Sequence, residues 1–173
     1  MQTNKNNSEK LKRIIVHWTG GSYNINTKIL DSYHYAVMDS GKVLPCNHRP
    51  EDNLNCNDGN YAAHTGGGNT GSIGVAMCGM YVPKGVNVKN TQYPLTKKQC
   101  ESCFKFVAEL ASKYKIQINP ETVMTHYEFG LKNPKTSSAG KIDIIYLPAY
   151  PHLKQSEIGD FIRNKVRWYS KHL

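Results

Sequence analysis

The chain reads as one mixed α/β domain, a central β-sheet flanked by helices. Three observations predict this class. Short apolar, β-branched runs recur at 13–17, 33–38, 72–78 and 122–126, and such runs read as buried strands. Two longer stretches, near 97–115 and 152–169, space their apolar residues at three and four positions instead, which is the helical period. Glycine-bearing turns separate these segments, and no repeat or interdomain linker divides the 173 residues. That length suits one domain with a substantial core.

The elements follow in order. Residues 1–10 are polar and rich in Asn and Lys and are expected to form a disordered arm, leaving 11–173 as the domain. The first strand ends at His17, and Thr19-Gly20-Gly21-Ser22 turns the chain. Residues 26–32 form a short helix or an irregular link. Tyr33 to Met38 is a strand, Asp39-Ser40-Gly41 a hairpin turn and Lys42-Val43-Leu44 its return, since glycine tolerates the positive φ of such turns. A polar stretch, 47–60, leads through Ala63-His64 into the glycine-rich segment Thr65 to Gly71. Ser72 to Cys78 has the uninterrupted apolar character of a central strand covered on both faces.

Residues 81–95 are expected to be loop. Thr96-Lys97-Lys98-Gln99 has the form of a capping box and opens a helix to about Lys115. Pro120 precedes the strand that ends at His126, and 130–142 is a polar loop. The last helix begins after Pro151. Its Ile158, Phe161, Ile162, Val166 and Tyr169 make one apolar face.

Composition excludes some classes. No stretch approaches the ~18 apolar residues of a membrane span. The net charge of +9 favours an anionic partner or simply solubility, and no nucleic-acid-binding module stands out. The start lacks the apolar core of a signal peptide, so delivery to the cytoplasm is expected. The five cysteines are an odd number, which argues against a complete disulfide framework. Cys46 and Cys56 flank a polar loop and would pair only under oxidising conditions. Cys100 and Cys103 fall on the apolar face of a helix, where cysteine behaves as a small hydrophobe. The segment Gly66 to Gly71 lacks the Gly-Lys-Ser/Thr ending of a phosphate loop and leads into a strand rather than a helix.

His17 and His126 each close an apolar run, and Asp143 lies two residues beyond Lys141. A polar side chain at the end of a buried strand is rigidly placed where open α/β sheets carry their sites. Two histidines and a carboxylate make a zinc site with a fourth position free for water. Each residue alone is more often structural. The order of the surrounding segments raises the odds.

Those segments are Ile14-Ile15-Val16-His17-Trp18-Thr19, Tyr33-His34-Tyr35-Ala36-Val37 with Asp39-Ser40-Gly41, Ala63-His64 through Asn69, Ser72-Ile73-Gly74-Val75, Thr125-His126 and Lys141-Ile142-Asp143. As an ordered set over about 12–150 they resemble the zinc-dependent N-acetylmuramoyl-L-alanine amidases, the family of small phage endolysins and peptidoglycan recognition proteins. The resemblance implies that fold, zinc held by His17, His126 and Asp143, and Lys141 stabilising an oxyanion. A glutamate base of some branches falls on Ala76, which moves no proton. The tyrosine of the phage branch matches Tyr33, which would assist catalysis. That branch often has cysteine where Asp143 stands.

His64 is expected to line the groove and hold substrate. His34 is expected to be structural, on the strand face opposite Tyr33. Peptidoglycan is the implied substrate and a monomer the expected state. A phage or prophage endolysin reaching the wall after release is the implied setting, with a cytoplasmic recycling amidase or a non-catalytic peptidoglycan-binding module as alternatives. The last helix carries Lys154, Arg163, Lys165, Arg167 and Lys171. They form either a solvated face or a surface for anionic outer-membrane or other lipid, with Trp168 supporting the second.

Overall fold

The computed structural model describes residues 10–173, so the expected arm lies outside the described residues except for Lys10. Five strands, β1 (Arg13–Trp18), β2 (Tyr35–Val37), β3 (Val43–Pro45), β4 (Ser72–Met77) and β5 (Val123–Thr125), form one sheet in the order β3-β2-β4-β1-β5. β4, β1, β5 and β2 run parallel, and β3 returns antiparallel to β2. Gly41, at φ 90°, makes that hairpin turn, a conformation open to glycine at little cost. All six residues of β4 are buried, as its continuous apolar run requires of a central strand.

Four helices complete the fold: α1 (Thr27–Ser32), α2 (Lys97–Tyr114), α3 (His126–Lys132) and α4 (Ile158–Ser170). Thr96 caps α2 as expected, with Gln99 reaching back to the Thr96 amide. Cys100, Cys103, Phe104, Val107 and Ala111 bury one face of α2, and Ile158, Ile162 and Val166 bury that of α4. Both pack on Ile14, Val16 and Trp18 of β1 and Ile73, Val75 and Met77 of β4. Cys100 and Cys103 are therefore core, with thiol pKa values raised by burial. All five cysteines are free thiols.

Strand alternation sends the remaining residues to the second face. There β4 contributes Ser72, Gly74 and Ala76, and β1 contributes Ile15 and His17. These are mostly small or polar, so the second face has room for a site that the first, filled by helices, lacks.

Some boundaries differ from the sequence reading. β2 starts at Tyr35, because Tyr33 ends α1 as its C-cap. Strand alternation therefore does not separate Tyr33 from His34. Tyr33 packs against the His17 ring, at 5.1 Å, and His34 against the His64 ring, at 5.5 Å. α3 begins at His126 with Thr125 as its cap and Glu128 closing a capping box. That Thr-x-x-Glu pattern is present in the sequence, where it overlaps the end of the strand. α4 begins at Ile158 after a 3-10 turn at Gln155–Glu157, later than the residues after Pro151.

The basic helix is more committed than its composition suggests. Arg163 is buried. It donates to both Glu128 oxygens, at 3.0 and 2.9 Å, and to the Val123 carbonyl at 3.0 Å. Lys165 pairs with Glu101 at 2.7 Å, and Arg167 donates to the Ile118 carbonyl at 3.0 Å. These three cations bind α4 to its neighbours, and Lys154 and Lys171 remain for solvent. No helix among the described residues is long and apolar enough to cross a membrane.

Candidate metal centre

The site grows from the carboxyl ends of the parallel strands. His17 is the penultimate residue of β1 and His126 follows β5 directly. β1 and β5 are hydrogen-bonded neighbours, so the two imidazoles meet, with ring centroids 4.7 Å apart. Asp143 comes from the irregular segment after α3, anchored where its carbonyl accepts from the Tyr127 amide at 2.5 Å. Its Oδ2 lies 2.9 Å from His17 Nδ1 and its Oδ1 lies 3.2 Å from His126 Nδ1. All three residues are buried, and one ligand atom from each lies within 4.8 Å of the others.

The far nitrogens of both rings are also engaged. His17 Nε2 lies 3.1 Å from His64 Nδ1, and His126 Nε2 lies 2.9 Å from Ser138 Oγ. Burial lowers the pKa of His17 despite the Asp143 contact, which raises it. Burial likewise opposes charge on Asp143, but the contacts with His126 and His17 outweigh it and hold that carboxyl below its usual range. The arrangement is an ionised carboxylate with imidazole nitrogens gathered around it. Two nitrogens and a carboxylate oxygen converging in a buried pocket form the donor set of zinc. These residues therefore fit the metal that the sequence implies.

A cleft of about 690 Å³ opens over the group and is lined by Tyr33, His126, Lys141 and Asp143 among others. Asp143 is the only acid in that lining. Burial, then the Asp143 charge, raises the pKa of Tyr33, so it stays a phenol. Lys141 is exposed at the cleft, and among the described residues its ammonium pairs with no carboxylate. Ala76 pairs in register with His17, so the place beside that ligand carries a methyl group and no second carboxylate.

His64 lines the cleft as expected and is buried there. Its Nε2 faces the Ser72 carbonyl at 3.2 Å and its Nδ1 lies between His17 Nε2 and Thr65 Oγ1, so both ring nitrogens are engaged within the protein. His34 is structural as expected: its Nδ1 accepts from the Gly74 amide and its Nε2 donates to Asn53 Oδ1, both at 2.9 Å. Asn53 in turn bridges to Ala62 and Asn69, and Thr65 donates its amide to Asn69 Oδ1 at 2.8 Å. The glycine-rich segment is therefore fastened at Thr65, Gly66 and Asn69.

Sequence reasoning missed Ser138, Thr65 and Asn53. Each is a small polar residue in a polar loop, and nothing in one sequence marks its partner 12 to 48 positions away.

An α/β domain with a His-His-Asp donor group at the carboxyl edge of its parallel strands defines a class with a buried group able to hold a metal under an open cleft. The chain belongs to the N-acetylmuramoyl-L-alanine amidase family, whose model matches residues 7–141. Asp143 lies just past that span. No curated protein matches the sequence. Among solved structures it is similar to a variant of PlyL, at 24% identity and TM-score 0.50, over 91% of this chain and 85% of that one. It is also similar to AmiD from E. coli, solved with anhydro-N-acetylmuramic acid-L-Ala-D-gamma-Glu-L-Lys, at 18% identity and TM-score 0.50, over 73% of this chain and 51% of that one. A third, Drosophila peptidoglycan recognition protein SD, is 15% identical at TM-score 0.48, over 73% and 74%. The first two likenesses agree with the fold described above.

Proposed function

We propose that the chain is a zinc-dependent hydrolase that cleaves the amide between N-acetylmuramic acid and L-alanine in peptidoglycan. The observation that carries this reading is the buried His17, His126 and Asp143 group at the floor of an open cleft, in a chain of this family. Those three residues would hold the ion. When bound, zinc supplies Lewis acidity, polarising a carbonyl and acidifying a water near neutral pH.

The protein's own groups account for the rest. Lys141 reaches the cleft with no carboxylate partner among the described residues and would stabilise negative charge developing on the amide oxygen. Tyr33, kept protonated, would donate a hydrogen bond at the same centre and help the amine depart. Trp18, Met80, Val82 and Val88 give the cleft apolar wall, while Lys28 and Ser137 give polar wall. That mixture suits a sugar-linked peptide, which has both apolar faces and carboxylates. We further propose a phage-type endolysin, made in the cytoplasm and meeting the wall after release.

The test is digestion of purified peptidoglycan with and without chelator, read by mass spectrometry. Free stem peptides with an L-alanine amino terminus, formed only in the presence of metal, are the expected products. Intact muropeptides in both samples, with the protein pulled down by the polymer, would replace this reading with a binding module.

A further inference from the structure

The two ligand histidines are held by a matched pair of contacts that the catalytic reading leaves unused. To bind a cation through Nδ1, a neutral imidazole must carry its hydrogen on Nε2. At each histidine the atom facing Nε2 is constrained to accept that hydrogen. His64 Nε2 faces the Ser72 carbonyl at 3.2 Å. A carbonyl only accepts, so His64 donates there and its Nδ1 is an acceptor, shared between Thr65 Oγ1 at 2.7 Å and His17 Nε2 at 3.1 Å. Ser138 Oγ faces the Gly66 carbonyl at 2.7 Å. Its one hydrogen goes there, and its lone pairs face His126 Nε2 at 2.9 Å.

Both chains of bonds end on backbone carbonyls of one segment, Gly66 and Ser72, at the two ends of the glycine-rich loop. That loop is fixed in turn by Asn53 and Asn69. Close contacts surround this mount. A Cβ on Gly66 of the loop would lie 1.7 Å from Ser137 Oγ, beside Ser138, and one on Gly74 of the adjoining β4 would lie 2.5 Å from the His64 ring.

We propose that Ser138 and His64 are positioning residues that lock His126 and His17 in the Nε2–H tautomer, with the glycine-rich loop as their common mount. The proposal rests on the reading of His17, His126 and Asp143 as a zinc site. Partners of this kind raise ligand basicity and typically change metal affinity by about 10–100-fold. Ser138→Ala removes one acceptor without adding bulk. His64→Phe keeps a ring of similar shape and removes the other. Ser138→Thr keeps the hydroxyl.

The experiment is zinc competition against a chromophoric chelator for the full chain, together with proton NMR of the zinc-loaded protein and thermal unfolding of the metal-free forms. Ser138→Ala and His64→Phe are expected to bind zinc about 10–100-fold more weakly. Each should lose one slowly exchanging low-field imidazole N–H signal, and Ser138→Thr should restore both properties. Unchanged zinc affinity and unchanged N–H signals in Ser138→Ala would overturn the lock while leaving the metal site standing. So would an affinity loss matched by equal destabilisation of the metal-free protein with both N–H signals intact. A wild-type chain that binds no zinc would overturn the site and the lock together.

Discussion

Replacing Gly74 with alanine tests the packing behind the site with a single methyl group. Gly74 lies within β4 with ordinary strand backbone, so backbone strain does not enter. Taken alone, the change would stabilise by about 0.5–1 kcal/mol, because glycine loses more freedom on folding. The added Cβ, however, would sit 2.5 Å from His64 Cγ, 2.6 Å from Cδ2 and 2.9 Å from Nδ1. Carbon atoms are comfortable near about 3.5 Å, so the imidazole must retreat by about 1 Å. His64 is buried, and its bond to His17 Nε2 is already 3.1 Å long, with about 0.4 Å of slack before it ceases to be a hydrogen bond.

Overpacking of this kind costs about 1–3 kcal/mol, which outweighs the entropic gain. The net loss of up to about 2.5 kcal/mol corresponds to a melting point lower by up to about 10 °C for a domain of this size. Calorimetry of the metal-free protein measures it, and zinc affinity should fall in parallel. His64→Ala in the same chain removes the collision, so the two costs should be less than additive. A Gly74→Ala protein as stable as wild type, with undiminished zinc affinity, would refute the reasoning.

Three further outcomes are expected. Asp143→Ala should lose bound zinc by elemental analysis, whereas Lys141→Ala should keep zinc and lose turnover; full occupancy in the first would displace Asp143 from the ligand set. Arg163→Ala leaves Glu128 facing a buried gap at the junction that carries His126, and breaking such a pair costs about 3–5 kcal/mol, measurable by urea denaturation. The third concerns pH. His34 is held neutral mainly by burial, with its pKa lowered from 6.5 to about 4. The unfolded chain binds that proton first, so the stabilisation is complete above about pH 6.5 and is lost as pH falls toward 4. It amounts to about 3 kcal/mol across that window, and His34→Gln should flatten the corresponding slope in metal-free unfolding.

The features legible in the sequence were those with a local cause. β4 announced itself by its uninterrupted apolar run, α2 by its capping box and apolar stripe, and the core cysteines by their place on that stripe. His17 and His126 were legible because a polar residue closing a buried strand is held at the sheet's edge. Misplaced boundaries came from competition between local signals. Tyr33 continues an apolar run but caps α1, and Thr125 ends a strand while its hydroxyl starts α3.

By itself the sequence determined the element types, the ligand candidates and the family resemblance, because periodicity, turn chemistry and motif order are properties of neighbouring residues. Only the tertiary structure decided that the His64 nitrogens turn to His17 and the Ser72 carbonyl, that Ser138 meets His126, and that Arg163 is a buried clamp and not part of a basic surface. Those outcomes depend on which loop crosses which strand end. A hydrogen bond between residues far apart in the chain leaves no periodic trace in the sequence that makes it.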